Sequence, residues 1–146
     1  MVEQLFYVDT CIYLNFWQKE EDGRLGIPYW KSAKDFFEKS DHDNSIIHYS
    51  GFLLRELEFI LGSQEFNQQH KLFRQSPNFE RIFMSCSEYY QAQNIESELN
   101  YGISFFDVIH MLLAKKSDSI LITRDNGLLY TAGKYSVITK RPEELL

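Results

Sequence analysis

Residues 104–125 read SFFDVIHMLLAKKSDSILITRD, and this stretch decides the fold. From Phe105 to Ala114 only Asp107 and His110 interrupt the apolar residues. A helix that is apolar on nearly every side is a buried helix. The β-branched run Ile120-Leu121-Ile122-Thr123 that follows predicts a short buried strand. Each acid has two readings. Asp107 lies three residues after Ser104, the spacing of a capping box in which the carboxylate reaches back to a free backbone N–H; alternatively it answers to a cation. Asp125 opens the turn-forming triplet Asp125-Asn126-Gly127; alternatively it stands at the end of a buried strand because a site needs it there.

Working outward, Leu5-Phe6-Tyr7-Val8 predicts a central parallel strand, closed by Asp9-Thr10, with Asp9 able to cap a helix over Cys11–Gln18. Pro28 suits the first turn of a second helix, in which Trp30, Ala33, Phe36 and Phe37 recur at helical spacing through Lys39. Asp41-His42-Asp43-Asn44 reads as a solvated polar turn. Ser45–Tyr49 predicts a second strand, and Ser50 the cap of a helix over Gly51–Leu61. On that helix the neighbours of position 56 are Phe52, Leu53, Phe59 and Ile60, so Glu56 falls inside an apolar stripe, where a carboxylate must be paired, metal-bound or protonated. Arg55 and Glu58 are spaced to pair on another face. The pattern further predicts a polar helix over Gln64–Gln75 and a weak strand within Phe79–Ser85, centred on Arg81–Met84. A helix over Ser87–Asn100, a connector over Leu128–Gly133 and a last strand at Tyr135–Thr139 complete the chain.

Strands alternating with helices along residues 1–146 predict one α/β domain: a three-layer sandwich with a mostly parallel sheet of four to five strands and helices on both faces. In such a sheet each helix begins at the carboxyl edge of the strand before it, the edge where open α/β folds bind ligands. Asp9 and Asp125 fall at strand ends, Asp107 in a helix first turn, and Glu56 within reach of the same rim. Four carboxylates sharing a pocket raise one another's pKa unless a cation lies between them. All-oxygen donors without a zinc-type Cys/His set point to Mg²⁺ or Mn²⁺, which supports hydrolysis of a phosphodiester by water. The two cysteines, Cys11 and Cys86, have no metal-ligand spacing and read as buried, reduced thiols. A net charge of −6 argues against a whole-surface nucleic-acid binder and leaves a local basic patch, a metal bridge or a basic partner. No apolar run approaches the roughly 20 residues of a membrane span, and MVEQLFYVD lacks the basic and apolar segments of a signal peptide, so a cytoplasmic protein is expected.

Asp9 in FYVDTCIYL, Glu56 in SGFLLRELEFIL, Asp107 in ISFFDVIHMLLAKK and Asp125 in ILITRDNGLL resemble the four spaced acids of PIN-domain ribonucleases, in particular the VapC-like toxins of toxin–antitoxin pairs. The resemblance extends to the closing VITKRPEELL. It implies a parallel sheet with the first strand central beside the fourth. It also implies Asp9, Asp107 and Asp125 as metal ligands, Glu56 in the same cluster, and Thr10 and Thr123 beside it. The implied activity is Mg²⁺- or Mn²⁺-dependent endonucleolytic cleavage of RNA, in a homodimer silenced by a basic antitoxin. Arg124 is the best-placed cation for substrate contact, and His110, one turn after Asp107, supports the site or packs beneath it. The polar 62–82 region departs from the family pattern.

Other acid-rich α/β proteins fit less well. A receiver-like phosphoacceptor would place a second acid directly after Asp9, where Thr10 stands. A haloacid-dehalogenase-type phosphatase would place one two residues on, where Cys11 stands. The rival that composition leaves open is a catalytically inactive PIN-like module that binds metal or protein.

Overall fold

A computed structural model describes residues 4–146; Met1 to Glu3, on which part of the leader-peptide expectation rests, lie outside the described residues. Five strands form one parallel sheet in the order β3-β2-β1-β4-β5: β1 Leu5–Val8, β2 Ile46–Tyr49, β3 Phe79–Arg81, β4 Ile120–Ile122 and β5 Thr139–Lys140. β1 is central and pairs with both β2 and β4, with Val8 opposite Ile122. The expected three-layer arrangement follows from alternation along β1. Phe6 and Val8 pack with Ile47 and Ile122 into a core shared with α1 (Thr10–Trp17), α2 (Tyr29–His42) and α3 (Gly51–Leu61). Tyr7 and Leu121 pack on the other face with α6 (Cys86–Glu98), α7 (Phe105–Lys116) and α8 (Asn126–Lys134).

Ser50 and Ser104 cap α3 and α7 by accepting from Leu53 N and Asp107 N. For Asp107 only this half of the capping box forms, because its carboxylate makes no return bond among the described residues. Ser85 makes a complete box with Glu88 at the start of α6, which begins one residue earlier than expected.

Three expectations are corrected. Leu128–Gly133 is part of α8, whose buried Leu128, Thr131 and Ala132 follow helical spacing that Gly127 and Gly133 disguise. Gln64–Gln75 breaks into α4 (Ser63–Gln69) and α5 (Lys71–Gln75), with Phe66 and Phe73 turned inward. Cys86 is exposed rather than buried, at the first position of α6. Smaller shifts place β3 at the start of the expected Phe79–Ser85 segment and β5 at the far end of the predicted last strand. None of the described helices is long and apolar enough to cross a membrane.

Candidate metal and active site

Asp9 follows β1 directly, has extended backbone and caps α1: its Oδ1 accepts from Thr10 N at 2.8 Å. Its other oxygen, Oδ2, accepts from the buried Thr123 hydroxyl at 2.8 Å and from Cys11 Sγ at 3.3 Å. Thr123 follows β4 directly, so the carboxylate is clamped between the ends of adjacent strands. Burial and the Asp9 charge push the Cys11 thiol pKa well up, keeping it protonated.

Glu56 comes from α3. The helix buries Leu53 and Leu57, while Phe59 is 89% exposed and Ile60 about half exposed, so the expected stripe is narrower than its sequence suggests. Glu56 lies on the flank of that stripe. Its Oε1 accepts from the Thr10 hydroxyl and from His110 Nε2, the latter at 2.9 Å. Burial works against the Glu56 carboxylate, yet the bonds from His110 and Thr10 outweigh it and hold its pKa below the ordinary value.

His110 is the group that sequence spacing underspecified. It is completely buried on α7, with Nε2 on Glu56 and Nδ1 2.8 Å from the Tyr7 hydroxyl. The Tyr7 hydroxyl also lies 2.8 Å from Ser50 Oγ, which accepts from Leu53 N. Every hydrogen in this chain finds an acceptor when Ser50 donates to Tyr7, Tyr7 to His110 Nδ1, and His110 Nε2–H to Glu56. Burial disfavours charge on His110, but the Glu56 bond and the negative charges of Asp9, Glu56 and Asp107 outweigh it and raise its pKa. Tyr7→Phe keeps the ring but strands two buried polar atoms. We expect it to cost about 1–3 kcal/mol in a urea melt with the fold retained; an unchanged midpoint would show that the chain contributes nothing to stability.

Asp107 is half-buried in the first turn of α7 and accepts no hydrogen bond from the described residues. Burial, then the charge of Asp9 and those of Asp125 and Glu56, push its pKa up to about 6 despite the opposing influence of His110. Asp125 is exposed and caps α8, its Oδ1 accepting from Leu128 N at 3.0 Å, while its backbone N–H bonds Thr123 Oγ1. The turn expected at Asp125 is therefore a helix cap.

The ligand atoms that lie within 4.8 Å of one another belong to Asp9, Glu56 and His110; Asp107 and Asp125 do not join this tightest group. Both His110 nitrogens are already engaged, so the donors open to a cation are carboxylate oxygens, which fit Mg²⁺ or Mn²⁺ better than zinc. The unbonded Asp107 carboxylate beside three other acids is the part of the site that a cation would satisfy.

Arg124 is not a free cation. Its guanidinium binds both Glu143 oxygens at 2.8 Å, lies 4.1 Å over the Tyr29 ring, and donates from Nε to Asn15. A phosphate would have to displace Glu143 to reach it.

The chain matches the PIN-domain family over residues 6–134, a span that holds all four acids. It belongs to the PIN-domain family. Solved structures with the same fold include FitAcB from Neisseria gonorrhoeae, at 15% identity and a TM-score of 0.60 over 94% of this chain and 98% of that one. They also include FitAB bound to an IR36 DNA fragment, at 14% identity and 0.57 over 94% of both chains. PAE2754 from Pyrobaculum aerophilum matches at 17% identity and 0.55, over 99% of this chain and 95% of that one. No curated protein matches the chain. The family's general nuclease character gives this PIN domain's rim of carboxylates its chemical context.

Proposed function

We propose that this PIN domain is an Mg²⁺- or Mn²⁺-dependent endoribonuclease, the toxin of a toxin–antitoxin pair. The observation that carries the reading is the half-buried Asp107 carboxylate, which accepts no hydrogen bond among the described residues and whose pKa is raised by burial, then by the charges of Asp9, Asp125 and Glu56. Such a group is costly in the free protein and useful only with a cation. Asp9, Asp107 and Asp125 would hold the ion, with Glu56 at its edge. A divalent cation there supplies charge neutralisation at the phosphate and a lowered pKa for a coordinated water.

The chain's own residues orient and exclude. Thr123 and Thr10 N–H fix the Asp9 carboxylate. His110 and the Thr10 hydroxyl keep Glu56 ionised and aimed at the rim. Water is the nucleophile, so no activated serine or cysteine is required, consistent with a Cys11 thiol held protonated. In this reading a cytoplasmic, basic antitoxin covers the acidic rim of a homodimer, as the VapC-like sequence resemblance implies.

The test uses purified protein with labelled structured RNA. Cleavage should require Mn²⁺ or Mg²⁺ and stop on adding EDTA. RNA left intact across metals and substrates would replace the enzyme with the metal- or protein-binding module.

A further inference from the structure

In an acidic protein, three arginines from three separate elements converge beside the rim. Arg55 of α3, Arg74 of α5 and Arg81 at the end of β3 line one cleft of about 410 Å³ together with His70. Arg55 and Arg81 also line an adjoining cavity of about 370 Å³ that reaches Phe83. All three arginines are exposed, and among the described residues no carboxylate lies within ion-pair distance of any of them. Glu58 lines the same cleft, but the Arg55–Glu58 pair expected from their spacing does not form. One Arg81 nitrogen lies 2.8 Å from where a Cβ on Gly51 would stand, so the guanidinium rests against the first residue of α3. That is the positive end of an 11-residue helix. A guanidinium there, with Arg55 and Arg74 beside it, is an arrangement that an anion stabilises.

Position relative to the acids says which anion. Tyr7, His48 and Glu80 stand in one row across β1, β2 and β3, so Arg81 and Asp9 both follow that row at the carboxyl edge. Two strand spacings separate them, about 10 Å. The exposed Phe83 ring lies 5.2 Å from the Arg81 guanidinium. Arginines that meet phosphates beside an open aromatic face form the pairing that holds single-stranded nucleic acid. We infer that the Arg55–Arg74–Arg81 cleft binds the backbone of the single-stranded RNA flanking the scissile phosphate, with Phe83 as a stacking face for a base. The inference rests on the nuclease reading for its choice of substrate, and RNA binding without metal tests it separately.

The experiment measures anisotropy of a fluorescein-labelled single-stranded RNA in EDTA, where no cleavage occurs, across a salt series. The probes are wild type, the triple variant Arg55→Ala/Arg74→Ala/Arg81→Ala, and the matching triple lysine variant; circular dichroism confirms folding. The alanine variant should lose at least tenfold in affinity, and its log K against log salt should flatten by about 2, for three lost phosphate contacts. The lysine variant should recover most of the salt slope. Unchanged affinity and slope in the alanine variant would overturn the assignment. So would loss of binding to a glutamate-rich peptide with RNA affinity intact, which would mark the cleft as a docking site for an acidic protein. Arginine-dependent RNA binding in a protein that leaves RNA intact with every metal would keep this cleft and remove the nuclease reading.

Discussion

Asp9→Asn should lower RNA cleavage in Mn²⁺ by about a thousandfold while leaving the fold intact. The change is isosteric, and an asparagine oxygen still accepts from Thr10 N, so the cap on α1 survives. The Thr123 hydroxyl, which donates to the other Asp9 oxygen, meets the asparagine NH2 instead and turns to accept from it. What disappears is one negative charge at the centre of the rim, on the carboxylate clamped most firmly by its neighbours. Loss of several kcal/mol of charge stabilisation at the reacting phosphate corresponds to about three orders of magnitude in rate. Initial rates on labelled RNA, with circular dichroism as the control for folding, decide it. A folded Asp9→Asn protein that cleaves within a fewfold of wild type would remove Asp9 from the chemistry.

The second expected effect runs against intuition: Asp107→Asn should stabilise the protein when no divalent ion is present. In the folded chain burial and three neighbouring acids hold Asp107 near pKa 6, against an ordinary value of 3.8. Between those two pH values the native state binds more protons than the unfolded chain, so this group's contribution to stability is present below about pH 4 and is lost as pH rises through about 6. At neutral pH the ionised carboxylate therefore costs on the order of 2 kcal/mol. Part of that is returned by its favourable place in the first turn of α7. The variant should melt about 5 °C higher than wild type at pH 7 in EDTA, and the gap should close toward pH 4. Mn²⁺ should raise the wild-type melting temperature more than the variant's, because only wild type gains full binding energy. A variant less stable than wild type at pH 7 would mean that Asp107 already has a partner within the fold.

The rim was legible in the sequence because its signals are local. A strand ending before Asp9, the strand ending before Asp125, and caps at Ser50 and Ser104 each follow from a few adjacent residues. Glu56 stood out as an acid among apolar neighbours, although the exposure of Phe59 and Ile60 makes the reason partly different. What the sequence concealed is contact between distant residues. Nothing near His110 announces the Tyr7 hydroxyl 103 positions away, and the only local sign was a polar residue inside an apolar helix. Arg124 looked available beside Asp125 because its partner, Glu143, lies 19 residues downstream. His70 and Arg74 of the arginine cleft fall in a short basic run of the sequence, but nothing local joins them to Arg55 and Arg81, and Arg81 comes to line the same cleft as Arg55 only once β3 pairs with β2. The α8 error has a different cause, since two glycines and an Asp-Asn-Gly start outweighed helical burial at Leu128, Thr131 and Ala132.

The central claim is that four carboxylates on one sheet edge share a divalent ion. Calorimetric titration of Mn²⁺ into the metal-free protein at pH 7 measures this with no assumption about substrate. Saturable binding that Asp9→Asn and Asp107→Asn each weaken at least tenfold is the expected result. A folded wild-type protein that takes up no Mn²⁺ or Mg²⁺, or binds it equally well without either acid, would contradict it.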